Sequence, residues 1–217
     1  MPPPINAEGY ARDVITIGAS AGGVQALMQL LAKLPSDLPA VIGIVLHRSP
    51  FYETQLPVVL GRHAVIDVLE PADGTRLEHG TAYVAPRDTH LLFVDGHARL
   101  HHGPKEHRTR PAADPLFRSA AAGYGPRVAG VVLTGLGSDG VPGLVAIKAA
   151  GGLSLVQDPR EAMYPTMPSR AIAEDNVDAS LSLDRLAVVL TALARGYAVD
   201  RASHALLARG AETVDRG

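Results

Sequence analysis

Two kinds of hydrophobic pattern alternate along most of this chain. Four short runs are almost wholly apolar, as expected for strands covered on both faces of a parallel sheet: Val14–Ile17, Ala40–Leu46, Val128–Leu133 and Leu153–Val156. Six segments have helical spacing or helix boundary signals: Val24–Leu34, Thr54–Leu60, Asp114–Ala122, Val141–Ala150, Pro168–Glu174 and Leu183–Arg195. Strands that alternate with helices predict an α/β fold, a doubly wound, mostly parallel sheet (Rossmann-like) with helices on both faces.

The middle of the chain has a different pattern. Short runs broken by polar turns cover Ala64–Leu69, Thr81–Ala85, His90–Val94 and Ala98–His101. Asp95-Gly96, between two of these runs, is typical of a tight hairpin. We therefore expect an antiparallel hairpin insertion here. After it, Asp114 is a candidate N-cap, with Pro115 at the first helical position.

The length of 217 residues suits one sizeable domain. We expect a flexible, Pro-rich N-terminal lead over residues 1–11, a catalytic domain over residues 12–197, and a C-terminal helix and tail over residues 198–217.

Composition and charge exclude several classes of protein. Twenty basic against 22 acidic residues give a net charge of -2, which argues against a nonspecific nucleic-acid binder. The absence of cysteine excludes disulfides, thiolate metal sites and a cysteine nucleophile. The N-terminus lacks the apolar core of a secretory signal, and no apolar run approaches the roughly 20 residues that span a bilayer. The expectation is a cytoplasmic protein without membrane insertion.

Three strand ends carry the residues of a serine hydrolase. Ser20 follows the first strand, His47 the second, and Asp139 lies in the Gly-rich turn after Val128–Leu133. Carboxyl ends of parallel strands meet at one edge of a sheet, so we expect these side chains to lie close together. A serine hydroxyl needs a base, and the base needs a carboxylate that holds its tautomer.

The turn that carries Ser20 has the spacing of a nucleophile elbow. Gly18-x-Ser20-x-Gly22 fits the G-x-S-x-G pattern, in which small neighbours let the hydroxyl project. Ser20 would also lie at a helix N-terminus, where unpaired backbone amides, such as that of Ala21, can stabilise an oxyanion. The chain order Ser, His, Asp differs from the Ser, Asp, His order of α/β-hydrolases.

Other interpretations of the same residues remain open. Gly18, Ser20 and Gly23 resemble a dinucleotide-binding G-x-G-x-x-G, although the second strand ends in His47 rather than in a carboxylate. Ser20 and Asp139 could each cap a helix, and His47 could be a satisfied strand-end residue. Each structural role is reasonable for one residue alone, but all three on one edge favour the triad.

Five blocks of sequence resemble the catalytic domain of the CheB family of chemotaxis receptor protein-glutamate methylesterases. The blocks occur in the family's order and are IGASAGGVQAL at 17–27, VLHRSP at 45–50, RPAADPLFRSAA at 110–121, LTGLGSDG at 133–140 and QDPREAMYPTMP at 157–168.

This resemblance implies hydrolysis of glutamate γ-methyl esters on cytoplasmic helices of methylated chemoreceptors, and deamidation of particular glutamines there. It assigns Ser20 as nucleophile, His47 as general base and then acid, and Asp139 as its orienting carboxylate. It places an oxyanion donor at the backbone of Leu136, helped by the turn at Ala21. No cofactor is implied.

The chain also departs from the family pattern. Many receptor methylesterases have Thr where this chain has Ala21, and a common Met is replaced by Leu136. The family's N-terminal receiver domain is not in this sequence, so we expect a stand-alone catalytic domain. That expectation leaves room for a separate response-regulator protein as a partner.

Several further residues have two interpretations. Gly22, Met163, Tyr164 and Met167 are candidate substrate contacts, and core packing explains the last three equally well. Arg110 and Asp114 could shape the substrate cleft or cap a helix. The histidines of the insertion lack zinc-site spacing, so we expect a solvated loop and no metal site: His97, His101, His102 and His107.

Two other functions compete with the methylesterase hypothesis. One is a triad hydrolase acting on a different protein ester or amide outside chemotaxis. The other is a noncatalytic adaptor of the same fold, against which the intact set of Ser20, His47 and Asp139 argues.

Overall fold

A seven-stranded parallel sheet forms the centre of the molecule. The computed structural model describes residues 11–48, 55–175 and 177–197. The ten strands described in the two sheets are β1 Val14–Ala19, β2 Val41–Leu46, β3 Asp67–Leu69, β4 Thr75–Arg76, β5 Thr81–Val84, β6 His90–Val94, β7 His97–His101, β8 Val128–Val132, β9 Leu153–Gln157 and β10 Ala179–Leu181. The strand order of the central sheet is β10-β9-β8-β1-β2-β5-β3, and every pairing within it is parallel.

Helices cover both faces of this sheet, as the alternating pattern predicts. They are α1 Gly23–Leu31, α2 Leu56–Gly61, α3 Ala113–Tyr124, α4 Val141–Ala149, α5 Thr166–Asp175 and α6 Leu183–Ala194. One core packs α1, α2 and α6 on one face, and a second core packs α3, α4 and α5 on the other. Strands β1, β2, β8 and β9 are buried at every position, which explains their continuous apolar runs. The predicted fold class is confirmed.

The extent of the antiparallel insertion was predicted wrongly. Two of the runs assigned to it, Ala64–Leu69 and Thr81–Ala85, instead supply β3 and β5 of the parallel sheet. The antiparallel part is the smaller sheet with strand order β4-β7-β6. Its hairpin is confirmed, because Val94 pairs with His97 and both turn residues have positive φ, 49° at Asp95 and 76° at Gly96.

The predicted N-cap of α3 is also wrong. The helix begins at Ala113 after Ala112 as N-cap, so Asp114 lies inside the first turn with its side chain buried. Its carboxylate bonds to groups outside its own helix.

Some predictions concern residues that the structure does not describe. They are the lead over residues 1–11 apart from Ala11, residue Thr54 at the start of the second predicted helix, and the helix and tail over residues 198–217. None of the helices in the described ranges is long and apolar enough to cross a membrane.

The order of the strands creates a crevice at one point of the sheet. From β1 the chain moves to β2 on one side, and it returns later to β8 on the other side of β1. Open α/β sheets bind ligands at such a switch point, beyond the carboxyl ends of the strands. The turns after β1 and β8 are the turns that carry Ser20 and Asp139.

Candidate active site

Ser20 lies in the turn between β1 and α1, at the switch point. Its backbone amide donates to Thr134 O at 3.0 Å, which ties this turn to the end of β8. Gly22 is the N-cap of α1 and has φ of 76°, a conformation that favours glycine. Ser20 is therefore not the N-cap of α1, and its side chain is partly exposed to solvent.

His47 follows β2 and faces Asp139 across the crevice. His47 Nε2 lies 2.6 Å from Asp139 Oδ2, and the Asp139 side chain is only 1% exposed. A carboxylate can only accept, so His47 Nε2 carries the hydrogen of this bond. Nδ1 is then the ring nitrogen of His47 that is left to accept a proton.

Asp139 is held by the first amides of α3. The amides of Ala113 and Asp114 donate to its two oxygens at 2.6 Å and 3.2 Å. Burial by itself raises the pKa of Asp139, but the hydrogen bond and charge of His47 and the two amides outweigh burial, so this pKa lies below its ordinary value. Asp139 thus favours its ionised form and can orient His47. It does not cap the helix that follows it, α4, whose N-cap is Gly140.

Within the described residues, no hydrogen bond joins Ser20 Oγ to the His47 ring. Free hydrolases commonly hold this contact long and close it when substrate binds. The arrangement supplies a hydroxyl, a base with a free ring nitrogen and an ionised carboxylate, the groups needed for acyl transfer.

Thr134 connects the Ser20 turn to the loop before α5, and sequence reasoning missed it. Its hydroxyl donates to Ala21 O at 3.0 Å and accepts from the Tyr164 amide at 2.8 Å. Its own amide donates to the buried side chain of Gln157 at 2.9 Å. A threonine directly after a buried strand, on the edge that carries the candidate triad, is the only sequence signal for this role.

Gly135 lies against Ser20 with no room for a side chain. A Cβ at this position would overlap Met167 Sδ and lie 2.8 Å from Ser20 Cβ. We expect Gly135→Ala to displace Ser20 and to lower ester hydrolysis by about 10- to 100-fold, because small misplacements of reacting groups are costly. The measurement is kcat/KM on a small ester, beside thermal unfolding.

Gly123→Ala is the matched control for Gly135→Ala. Gly123 lies exposed near the end of α3, where a Cβ would make only ordinary contact. It should keep wild-type activity, and its stability should be equal or higher, since alanine favours helix. Wild-type kcat/KM in Gly135→Ala would show that the close approach to Ser20 has no importance for catalysis.

The candidate substrate contacts fall into two groups. Leu136 and Met163 are strongly exposed, at 55% and 63%, and Tyr164 is partly exposed. The Met163 side chain lies against Gly22 in the Ser20 turn, and Tyr164 O accepts from the amide of Gly135, next to Leu136. Met167 is fully buried behind Gly135, so it supports the site and does not line its entrance.

Arg110 neither caps a helix nor faces Ser20. Its guanidinium forms two hydrogen bonds of 3.0 Å with Asp88 and donates to the carbonyls of His102 and Gly103. It therefore fixes the insertion to the segment before α3.

His107 is exposed, as the predicted solvated loop requires, but its ring also bonds to a buried carboxylate. Its Nε2 lies 2.6 Å from Asp114 Oδ2. Among the described residues, His107, Asp114 and Asp139 offer ligand atoms within 4.8 Å of one another, as a metal ion would need. Both carboxylates are already engaged by histidine rings and backbone amides, so hydrogen bonding accounts for this cluster without an ion.

A serine in a tight strand-to-helix turn, a histidine bonded to a buried carboxylate and unpaired backbone amides meet at the switch point of a doubly wound sheet. This combination is typical of α/β serine hydrolases.

Comparison with known proteins gives the family within this class. The family model described as CheB methylesterase matches residues 15–190. The chain is 39% identical over 180 residues to a protein-glutamate methylesterase/protein-glutamine glutaminase of Pyrococcus horikoshii, covering 81% of this chain and 49% of that protein. It is 40% identical over 183 residues to protein-glutamate methylesterase/protein-glutamine glutaminase 2 of Anaeromyxobacter dehalogenans, and the match covers 84% of this chain and 54% of that protein.

A solved structure agrees with this result. The CheB methylesterase catalytic domain of Thermotoga maritima superposes with a TM-score of 0.79 at 31% identity, covering 83% of this chain and 98% of that one. The chain belongs to the CheB methylesterase family. It spans about half the length of the curated relatives it matches.

Proposed function

We propose that this chain is a protein-glutamate methylesterase, which hydrolyses γ-methyl esters of glutamate side chains on chemoreceptors in the cytoplasm. The observation that carries the proposal is the 2.6 Å contact between His47 Nε2 and the buried Asp139, beside Ser20 at the switch point. Relatives about 40% identical to the chain bear the name of this activity, which supports the choice of substrate.

The reaction proceeds by acyl transfer in two halves. Ser20 Oγ attacks the ester carbonyl while His47 Nδ1 takes its proton, and Asp139 stabilises the imidazolium that forms. The tetrahedral intermediate collapses, and methanol leaves with the proton from His47. Water, activated by the same ring, then attacks the acyl-enzyme and releases free glutamate and Ser20. With a glutamine side chain, ammonia leaves in place of methanol, which is deamidation.

Backbone amides stabilise the negative charge of the tetrahedral intermediate. Neither the amide of Ala21 nor that of Leu136 donates to an acceptor among the described residues. The amide of Gly135, which directly precedes Leu136, is instead bonded to Tyr164 O. Free amides next to the nucleophile can donate to an oxyanion, and each such donor contributes about 100- to 1000-fold in rate. A backbone donor tolerates the side-chain differences at Ala21 and Leu136.

An apolar rim beside Ser20 fits a helical protein substrate. We use "apolar rim" for the exposed residues Leu136, Met163 and Tyr164. The Met163 side chain lies against Gly22, and the backbone of Tyr164 bonds to Thr134 and Gly135, next to Leu136. Exposed apolar groups that cluster at a site indicate an interaction surface. The apolar face of a receptor helix can rest on this rim while its modified glutamate reaches Ser20.

Met163→Ser is expected to raise KM for methylated receptor by about tenfold or more, because burying a methionine side chain contributes about 1.5–3 kcal/mol. The kcat for a small ester should stay unchanged, since Met163 touches no reacting group. Val188→Ser on α6 is the matched control, with 55% exposure away from the site. An unchanged KM in Met163→Ser would remove the rim from substrate binding.

The proposed activity is tested by methanol release. Purified protein is incubated with membranes that carry chemoreceptors methylated with a radioactive methyl group, and volatile radioactivity is counted. We expect release with the wild-type protein and none with Ser20→Ala. If a folded wild-type protein hydrolyses small esters but releases no methanol, its substrate is a different protein ester or amide. A separate response-regulator protein is an expected partner, and adding one in its phosphorylated form extends the same assay.

A further inference from the structure

Two buried carboxylates lie side by side at the starts of α3 and α4, and the proposed reaction uses only one of them. Asp114 is as deeply buried as Asp139. The amide of Asp114 donates to Asp139 Oδ1, so the two residues are in direct contact. Burying a carboxylate costs folding free energy unless its oxygens accept hydrogen bonds, and both oxygens of Asp114 have partners.

The two aspartates bond the starts of each other's helices. Asp139 precedes α4, yet it accepts hydrogen bonds from the first two amides of α3. Asp114 lies in the first turn of α3, yet its Oδ1 accepts from the Gly143 amide in the first turn of α4 at 2.7 Å. First-turn amides have no partner within their own helix, so each helix supplies a carboxylate for the other.

His107 completes the bonding of Asp114. Its Nε2 lies 2.6 Å from Asp114 Oδ2, the oxygen that Gly143 does not use. His107 reaches the carboxylate from the polar loop after β7, and its ring remains partly open to solvent. The arrangement repeats the pair that His47 forms with Asp139.

We propose that Asp114, held by His107, is a positioning residue for the catalytic base. By locking the starts of α3 and α4 together, Asp114 fixes the two amides that orient Asp139, and Asp139 in turn orients His47. This inference rests on the proposed function only for the catalytic role of the triad, and not for the identity of the substrate.

The charges around Asp114 determine how its removal should act. It faces the Asp139 carboxylate and the His107 ring, with Arg118 of α3 further away and paired to Glu106, and His47 behind Asp139. Burial and the charge of Asp139 raise the pKa of Asp114, against the hydrogen bonds from His107 and the Gly143 amide. The role of Asp114 therefore lies in its hydrogen bonds to Gly143 and His107, and it does not require that the carboxylate be charged.

Two substitutions separate position from charge. Asp114→Ala removes the link to α4 and should lower the reactivity of Ser20 by about 10- to 100-fold, as misplaced catalytic groups do. Asp114→Asn keeps an acceptor for Gly143 and a polar partner for His107, so its reactivity on the neutral plateau should stay within about threefold of wild type.

The reactivity is measured with an alkyl fluorophosphonate, which phosphonylates an activated serine whatever the natural substrate is. Rate constants are recorded from acid to alkaline pH for the wild type, both Asp114 variants and Asp13→Asn. Asp13 is a suitable control because it also pairs with a histidine, His79, and with Arg127, but it precedes β1 at the opposite edge of the sheet. Asp13→Asn should leave both the plateau and its pH dependence unchanged.

The outcomes distinguish this inference from the proposed function. Wild-type reactivity in folded Asp114→Ala, or a loss in folded Asp114→Asn as large as that in Asp114→Ala, overturns the positioning role. If Asp114→Ala does not fold, His107→Ala takes its place: it removes the bond that holds Asp114, so wild-type reactivity in this variant overturns the role. A wild-type protein that fails to react overturns the triad and the inference together. A wild-type protein that reacts but releases no methanol from receptors contradicts only the proposed substrate.

Discussion

Ser20→Ala is expected to lower ester hydrolysis by about a millionfold, the loss seen when a triad nucleophile is removed. Ser20 is the hydroxyl in the turn between β1 and α1, where the Gly22 conformation and the bond from the Ser20 amide to Thr134 fix the backbone. Alanine fits the same backbone, so the fold should be retained while the nucleophile is lost. The measurement is kcat on a small ester, with thermal unfolding as the check on folding.

Ser36→Ala is the matched control for this loss. Ser36 is exposed in the loop between α1 and β2, on the edge of the sheet away from the site. It should keep full activity. If Ser20→Ala retained more than about a thousandth of the wild-type rate, another group would have to be the nucleophile. Without a nucleophile, the oxyanion amides and substrate binding give only a small part of the full rate acceleration.

Asp139→Asn is expected to lower kcat by about ten-thousandfold, the effect of a reversed histidine tautomer. Asp139 accepts hydrogen bonds from His47 and from two amides of α3. An asparagine has only one acceptor oxygen, so its amide group must face one of these donors. If that group faces His47, the ring has to present a bare nitrogen at Nε2 and carry its hydrogen on Nδ1, where it cannot accept the proton of Ser20.

The assay for Asp139→Asn is kcat on the same small ester, read beside the fluorophosphonate rate. Both rates should fall, since both need the base. Raising the pH should not restore them, because the lost property is the tautomer and not the charge of the ring. A kcat within tenfold of wild type would mean that Asp139 does not orient His47 during the reaction.

The sequence pattern predicts the elements that are buried on both faces. Strands β1, β2, β8 and β9 have continuous apolar runs, and their order with the intervening helices is enough for the α/β class. The three triad candidates come from the same reasoning, since each lies in the turn that follows one of these strands. The apolar composition of a segment reflects its burial, and this is why the fold class could be predicted.

The sequence of a strand does not by itself show which strand it pairs with. Thr81–Val84 is fully buried and pairs in parallel with β2, but its four residues and flanking turns fit an antiparallel hairpin equally well. Strand β10, Ala179–Leu181, has three residues and too little pattern to be found. Long-range pairing decides both cases, and it depends on contacts between segments far apart in the chain.

The polar contacts behind the triad were also beyond sequence reasoning. Asp114 followed by Pro115 has the pattern of an N-cap, yet the amides of α3 are capped from a distance by Asp139. His107 lies seven residues before Asp114 with no periodic relation to it, and the pair forms only because the loop after β7 returns to the start of α3. Such cross-helix bonds require the folded arrangement.

The most direct test of the whole account is mass spectrometry of methylated chemoreceptors treated with this protein in water labelled with heavy oxygen. Cleavage through an acyl-enzyme predicts that methylated glutamates lose their methyl group and gain one heavy oxygen in the new carboxylate, while the released methanol stays unlabelled. None of this should occur with Ser20→Ala. Receptor glutamates that stay methylated in the presence of folded, fluorophosphonate-reactive protein would contradict the proposed methylesterase.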